Sequence, residues 1–269
     1  MQIITDDGFV GEEPVNVGTM LRYRDGSMSV IPHGFFDLWG RGVPDFGTFH
    51  IGKNVVIGEG STVRYESGAQ CLRIGRYFSG GMRVRFILNG THNLDTISTW
   101  SGLAVTGLPE NPREPFGDTR IGNDVWVGEE TMILGGATIG DGCVIGARSL
   151  VLQQAVLEPY GIYAGHPARL IRFRFPPEII GLLLAIRWWD MPLDWMRAHS
   201  EAFRMSLNAD PVRAAEILAE LRQHADRVRE HLRATADAPP TVTPIVSRPP
   251  ADSRAAAVAP FPPEPSAKP

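Results

Sequence analysis

The feature that most constrains this chain is a period of six residues. From Ile121 it reads IGNDVW, VGEETM, ILGGAT, IGDGCV and IGARSL before Val151, which sets Ile121, Val127, Ile133, Ile139, Ile145 and Val151 at one equivalent position. Glycine follows four of those six, at Gly122, Gly128, Gly140 and Gly146. The same phrase occurs earlier as IGKNVV and IGEGST ahead of Val63, and as IGRYFS from Ile74. A second row of small residues lies four places after the aliphatic one: Val55, Ser61, Val125, Thr131, Ala137, Cys143 and Ser149. Neither an amphipathic helix nor a half-buried alternating strand produces this spacing. An aliphatic side chain every sixth residue with glycine beside it fits short strands joined by tight corners, each aliphatic pointing into a narrow stacked core. Such a chain must coil.

The period divides the sequence. It stops at Leu88 and resumes at Ile121, so residues 88–118 read as a long loop extruded from a regular coil, and excursions of that length are more often functional than not. Residues 51–175 form the coil. Residues 1–50, rich in glycine and aromatics (HGFFDLWGRGVPDFGTFH), read as irregular early coils that contact an acceptor molecule. In 176–233 two helices are expected. A short apolar one runs from Pro177 to Arg187, and a longer one from Asp210 to Arg233 has Asp210 as N-cap and Pro211 in its first turn. Its apolar face is Val212, Ala215, Leu218, Leu221, Ala225, Val228 and Leu232. Ten of the 22 prolines fall after Asp237, and 234–269 reads as a disordered Pro/Ala-rich tail with too little apolar surface to offset its ordering entropy.

Composition excludes several classes of function. Lysine and arginine total 26 against 30 aspartates and glutamates, a net charge of −4, which gives no general electrostatic reason for a nucleic-acid or anionic-membrane partner. The only cysteines, Cys71 and Cys143, are far apart and form no CxxC pair, so neither a disulfide framework nor a cysteine metal site is indicated. The most apolar run, Ile179 to Ile186, is eight residues long against the roughly 20 of a membrane-spanning helix. The acidic N-terminus lacks the basic and apolar regions of a secretory signal, and the cytoplasm is the expected location.

Within the loop, His92 is the side chain best suited to general base work near pH 7, and Asp95, three residues on, is placed to orient it or to stabilise the imidazolium. No glycine-framed nucleophilic serine accompanies it, and Cys143 occupies the small core position of the repeat, which suits packing better than covalent chemistry.

Three blocks carry a specific resemblance: RIGRYFSGGMRVRFILNGTHNLD, GDTRIGNDVWVGEETMILGGATIGDGCVIGARSLVL and YAGHPARLIRFRFPPEIIGLLLAIRWWDMP. In that order they resemble the diagnostic blocks of the xenobiotic (streptogramin and chloramphenicol) acetyltransferase group within the hexapeptide-repeat acyltransferases, from about Arg73 to Pro192. The resemblance implies an all-β core, a left-handed parallel β-helix of triangular section, with an extruded loop and C-terminal α-helices. It also implies an acetyl-CoA-dependent O-acetyltransferase that needs no metal. The family loop reads N-G-x-x-H and its histidine deprotonates the acceptor hydroxyl. Here the loop reads N-G-T-H, one residue shorter, so His92 takes that position with a single deletion.

Other roles follow from the same resemblance. Acetyl-CoA as co-substrate lies along the later coils between subunits of a homotrimer, which brings in Gly136 and Ala147. The A-G-x-P-A-[KR] segment that helps hold its nucleotide end corresponds to Ala164, Gly165, Pro167, Ala168 and Arg169, with Arg172 as a nearby cation and His166 in place of the usual asparagine. Trp126 matches a tryptophan near the catalytic histidine. Asn89 and Trp100 in the loop, and Asp37 and Trp39 in the N-terminal region, are the candidate acceptor contacts, for a small-molecule or carbohydrate hydroxyl. A non-catalytic β-helix that organises an assembly or binds a ligand is the alternative. Such a scaffold would need neither the histidine loop nor the AGHPAR segment.

Overall fold

Strands one coil apart pair in parallel with their aliphatic residues in register. Ile121 lies on Ile139 and Ile139 on Leu157, Val127 on Ile145 and Ile145 on Tyr163, and Ile133 on Val151. Each step is 18 residues (139 − 121), so one coil takes three hexapeptides and the prism has three faces. This is the coil expected from the period and the parallel β-helix implied by the resemblance, seen in a computed structural model that describes residues 2–12, 18–37, 47–65, 70–90, 92–100 and 116–235. They belong to one unit, Met1–Asp237; a second, Ala238–Pro269, contains most of the Pro/Ala-rich tail and lies outside the described residues.

The first face stacks β1 (Gln2–Thr5), β6 (Thr48–Ile51), β8 (Cys71–Ile74), β11 (Thr119–Ile121), β14 (Thr138–Ile139) and β17 (Val156–Leu157), with β2 (Gly8–Glu12) antiparallel at its edge. The second stacks β9 (Ser79–Gly80), β12 (Trp126–Val127), β15 (Val144–Ile145) and β18 (Gly161–Gly165), closed by antiparallel β19 (Ala168–Phe173). The third stacks β5 (Phe36–Asp37), β7 (Thr62–Arg64), β10 (Arg85–Ile87), β13 (Met132–Leu134) and β16 (Leu150–Val151). A hairpin of β3 (Thr19–Arg22) and β4 (Met28–Ile31) joins the early coils.

The repeat positions have physical causes. All six aliphatic residues from Ile121 to Val151 are at most 3% exposed, and the small row from Val55 to Ser149 is buried with them. Where that row carries a hydroxyl, it bridges backbone groups. Ser61 Oγ donates to the Gly81 carbonyl and accepts from Val84 N–H, and Ser149 Oγ donates to Gly146 and accepts from Gly165 N–H. Buried polar groups stay satisfied in this way. The glycine after each aliphatic is dictated by the next coil: a Cβ on Gly128 would lie 2.4 Å from Ala147 N, and one on Gly122 2.7 Å from Asp141 N. Corner residues also recur every six, since Asp124, Glu130, Gly136, Gly142, Arg148, Gln154 and Tyr160 all have φ between 55° and 75°.

The early coils are more regular than their sequence suggests. Phe36 sits on Val63 and Phe49 on Leu72, both in parallel register. Phe35, Phe36 and Phe49 pack ring against ring at 5.1–5.7 Å and fill the core of these coils. Phe36 on the aliphatic row and Phe49 on the small-residue row hide the period from a pattern search without breaking the coil.

Beyond the coil come α1 (Pro177–Ile186), a 3₁₀ turn at Trp188–Asp190, α2 (Leu193–Ala198), α3 (Ser200–Arg204) and α4 (Pro211–Thr235). They form a second core around Tyr160. Arg213 N–H donates to Asp210 Oδ1, the expected N-cap. The buried stripe of α4 is Ala214, Leu218, Leu221 and Ala225, whereas Val212 and Leu232 are exposed. The face is narrower and shorter than its spacing predicts, and α1, with 10 residues against 25, is too short to cover all of α4. No described helix is long and apolar enough to cross a membrane.

Candidate active site

The loop leaves the third face after Leu88 and rejoins the first face at Thr119, and both ends rest on one corner of the following coil. A Cβ on Gly135 would lie 2.1 Å from the Leu88 carbonyl oxygen, and one on Gly136 2.4 Å from that of Phe116. Gly136 has φ +75°, and its N–H donates to Thr119 Oγ1 at 3.0 Å. Gly136 thus seats the loop and has its N–H already engaged.

The first turns of the loop are held by short side chains bonding to nearby backbone, which suits a segment with no ladder to join. Gly90 N–H donates to Asn89 Oδ1 and Asp95 N–H to Asn93 Oδ1, both at 2.9 Å. Thr96 Oγ1 donates to the Ser98 carbonyl at 2.8 Å, and Trp100 N–H to Ser98 Oγ at 3.1 Å. His92 Nδ1 bonds to the Thr99 carbonyl. A carbonyl oxygen only accepts, so Nδ1 carries a proton and Nε2 is the ring nitrogen left without a partner among the described residues, on an exposed ring. The sequence assigned the orienting task to Asp95. In the structure the imidazole contact is with the Thr99 carbonyl, while Asp95 N–H bonds to Asn93 and its side chain is exposed.

Around the loop, Trp100 is exposed. Asp37 pairs with Arg64 in the third-face ladder, its side chain outside the described residues; Trp39 lies wholly outside them.

The second face carries the other candidates. Trp126, 57% exposed, stands between Ser79 and Val144 in β12. With Asp124, Val144, Ile162, Arg172 and Arg174 it lines a cavity of about 420 Å³. The structure therefore brings Trp126 and Arg172 together. Arg169 is exposed on the same β19 strand, opposite Ala164, and Ala147 is exposed at the corner stacked on Gly128.

The sequence reading missed Asp124 and Arg174. Arg174 Nη1 donates to Asp124 Oδ2 at 3.0 Å and to the Gly142 carbonyl at 2.8 Å, and its guanidinium lies over the rings of Tyr160 and Phe175. Burial raises the Asp124 carboxyl above its ordinary range despite this partner. The chain visits the faces in the order first, second, third, so a loop between third and first springs from the corner opposite the second face. His92 is only four residues beyond Leu88. Within one chain, the histidine and the Trp126 cavity therefore lie on opposite sides of the prism.

Neither cysteine is set up as a nucleophile. Burial pushes the Cys143 thiol up to about 12 and raises that of Cys71. Since the thiolate is the reactive form, neither thiol should react with Ellman's reagent at pH 8 in the native protein, whereas two equivalents per chain should react in denaturant. Rapid native labelling of Cys143 would contradict the packing described here. Among the described residues, no group of three or more His, Cys, Asp or Glu side chains is placed to hold a metal ion.

Comparison with known proteins places this geometry. Residues 118–153 match the family described as bacterial transferase hexapeptide (six repeats). The chloramphenicol acetyltransferase of Agrobacterium fabrum is 43% identical over 140 residues, 49% of this chain and 66% of the relative. The probable macrolide acetyltransferase of Lysinibacillus sphaericus is 41% identical over 134 residues, 47% of this chain and 73% of the relative. The galactoside O-acetyltransferase of Escherichia coli K12 is 33% identical over 128 residues, 43% and 62% of the two chains. The chain thus spans just under two thirds of the chloramphenicol relative's length.

Proposed function

Because this chain belongs to the hexapeptide-repeat acetyltransferases, we propose that it is an acetyl-CoA-dependent O-acetyltransferase in which His92 is the general base. One observation carries the reading: His92 Nδ1 is bonded to the Thr99 carbonyl, which leaves Nε2 as the ring nitrogen facing an acceptor. Nε2 accepts the proton of an acceptor hydroxyl as its oxygen attacks. The donor thioester supplies an activated acetyl group, and the coenzyme A thiolate leaves.

The cavity lined by Trp126, Arg172 and Arg174 supports placing the donor on this face, since it offers an aromatic side chain and cations. Arg169 and Arg172 are the groups that would meet its phosphates. Since the His92 loop and this cavity face opposite ways in one chain, the complete site takes the loop from one subunit and the second face from the next, in a homotrimer. Asn89 and Trp100 border the acceptor, a sugar or other small hydroxyl compound. The cytoplasm, where acetyl-CoA is made and thiols stay reduced, is the proposed setting.

Calorimetric titration with acetyl-CoA tests this without a guess at the acceptor. Saturable binding near one site per chain is expected, with Arg169→Ala or Arg172→Ala weakening it by about tenfold. No binding at millimolar donor would move the reading to a non-catalytic scaffold.

A further inference from the structure

The first face carries an outward row that this chemistry leaves unexplained. Parallel pairing sets His50 of β6 on Arg73 of β8, and Arg73 on Arg120 of β11. Adjacent strands stand about 4.8 Å apart, so an imidazole and two guanidiniums are stacked in register. Like charges directly opposite each other destabilise a sheet. Among the described residues one carboxylate stands against them: Asp118 Oδ2, 2.9 Å from Arg120 Nη2 and 3.6 Å from Arg73 Nε. Arg73 Nε is shielded from solvent and has no hydrogen-bond partner among the described residues.

The flanks do not restore the balance. Ile4 of β1 lies beyond His50, and Thr138 and then Val156 lie beyond Arg120. Burial keeps the nearby Cys71 thiol protonated, and burial together with Arg73 lowers the His50 imidazole. Among the described residues the row sets two guanidiniums and an imidazole against one carboxylate. It also has a defined place, because Asp118 and Arg120 flank Thr119, where the His92 loop rejoins the coil.

We infer that His50, Arg73 and Arg120 form a subsite for an oxyanion on the acceptor, a carboxylate or a sulfate or phosphate ester, so that the hydroxyl compound acetylated is an acidic sugar or similarly acidic metabolite. The inference rests on the acetyltransferase reading for the word acceptor, but the subsite itself does not. Two partly exposed guanidiniums one strand apart present the forked donors that bind oxyanions through paired hydrogen bonds. Asp118 holds the ladder together without the ligand and competes with it.

The test is calorimetric titration of the full chain, at low ionic strength and without acetyl-CoA, with sodium glucuronate, sodium sulfate and glucose. Both anions should bind saturably and glucose should not. Arg73→Gln and Arg120→Gln should each weaken the anions by about tenfold, and Asp118→Asn should tighten them. Unchanged melting of the three variants secures the comparison. Tighter glucuronate than sulfate identifies the carboxylate as the preferred group, and the reverse order identifies the esters. Absence of saturable binding by either anion, or binding indifferent to both arginine substitutions, overturns the subsite. Parallel loss of acetyl-CoA affinity in the variants would give the ladder to the donor's phosphates and overturn its assignment to the acceptor. If acetyl-CoA fails to bind the unaltered protein while the anions bind, the acetyltransferase reading falls and the subsite stands.

Discussion

Replacing His92 with alanine should lower kcat by about 10²–10⁴-fold, the range a positioned general base contributes, while leaving the melting temperature and the acetyl-CoA affinity unchanged. The ring is exposed and bonded only to the Thr99 carbonyl among the described residues, so its removal costs the fold little. The comparison with Asp95→Asn sharpens the test. With the imidazole bonded to the Thr99 carbonyl and Asp95 exposed, that variant should stay within about threefold of the unaltered rate. A collapse of activity in Asp95→Asn as deep as in His92→Ala would return the orienting role to the carboxylate. Full turnover in His92→Ala would sink the mechanism. The assay is transfer from radiolabelled acetyl-CoA to an acceptor found by screening hydroxyl compounds, acidic sugars first.

The second large effect concerns stability. Gly135→Ala should destabilise the protein by about 3 kcal/mol, because its Cβ would lie 2.1 Å from the Leu88 carbonyl oxygen, and that atom is backbone and cannot rotate away. The coil must open at the corner where the loop is seated, so the substitution should also impair the His92 site in the fraction that remains folded. A contrasting glycine controls for composition. Gly181 in α1 has nothing within 4 Å of its Cβ position, so Gly181→Ala should stabilise by up to about 1 kcal/mol through helix propensity alone. Denaturant unfolding of both variants checks the pair, and equal stabilities would refute the packing argument.

The fold was largely legible in the sequence because a coil of this kind repeats its physics. One aliphatic row and one small row, both at intervals of six, specify the core positions from Ile121 to Val151 without reference to anything distant in sequence. Where the repeat is filled by other side chains, as at Phe36 and Phe49, the pattern is lost to the eye although the packing is kept. The extent of a helix face was legible only in part, since the buried length of α4 depends on the length of α1 lying against it.

The site divides the same way. His92 announced itself by chemistry and by its place in an interruption of the repeat, and Trp126 by an aromatic at an outward position. The partner that sets the imidazole tautomer could not be found in this way, because the Thr99 carbonyl is a backbone group that every residue has, and only folding brings it to His92. Asp124 and Arg174, 50 residues apart, were missed for the same reason. The ladder of His50, Arg73 and Arg120 spans 70 residues and an extruded loop, and becomes one row only when parallel register stacks it. The sequence by itself thus determined the local repeat, the corners and the loop, whose causes lie within a few neighbouring residues. The tertiary structure alone decided which distant groups meet, because that depends on how many residues each coil takes up before the chain returns to the same face.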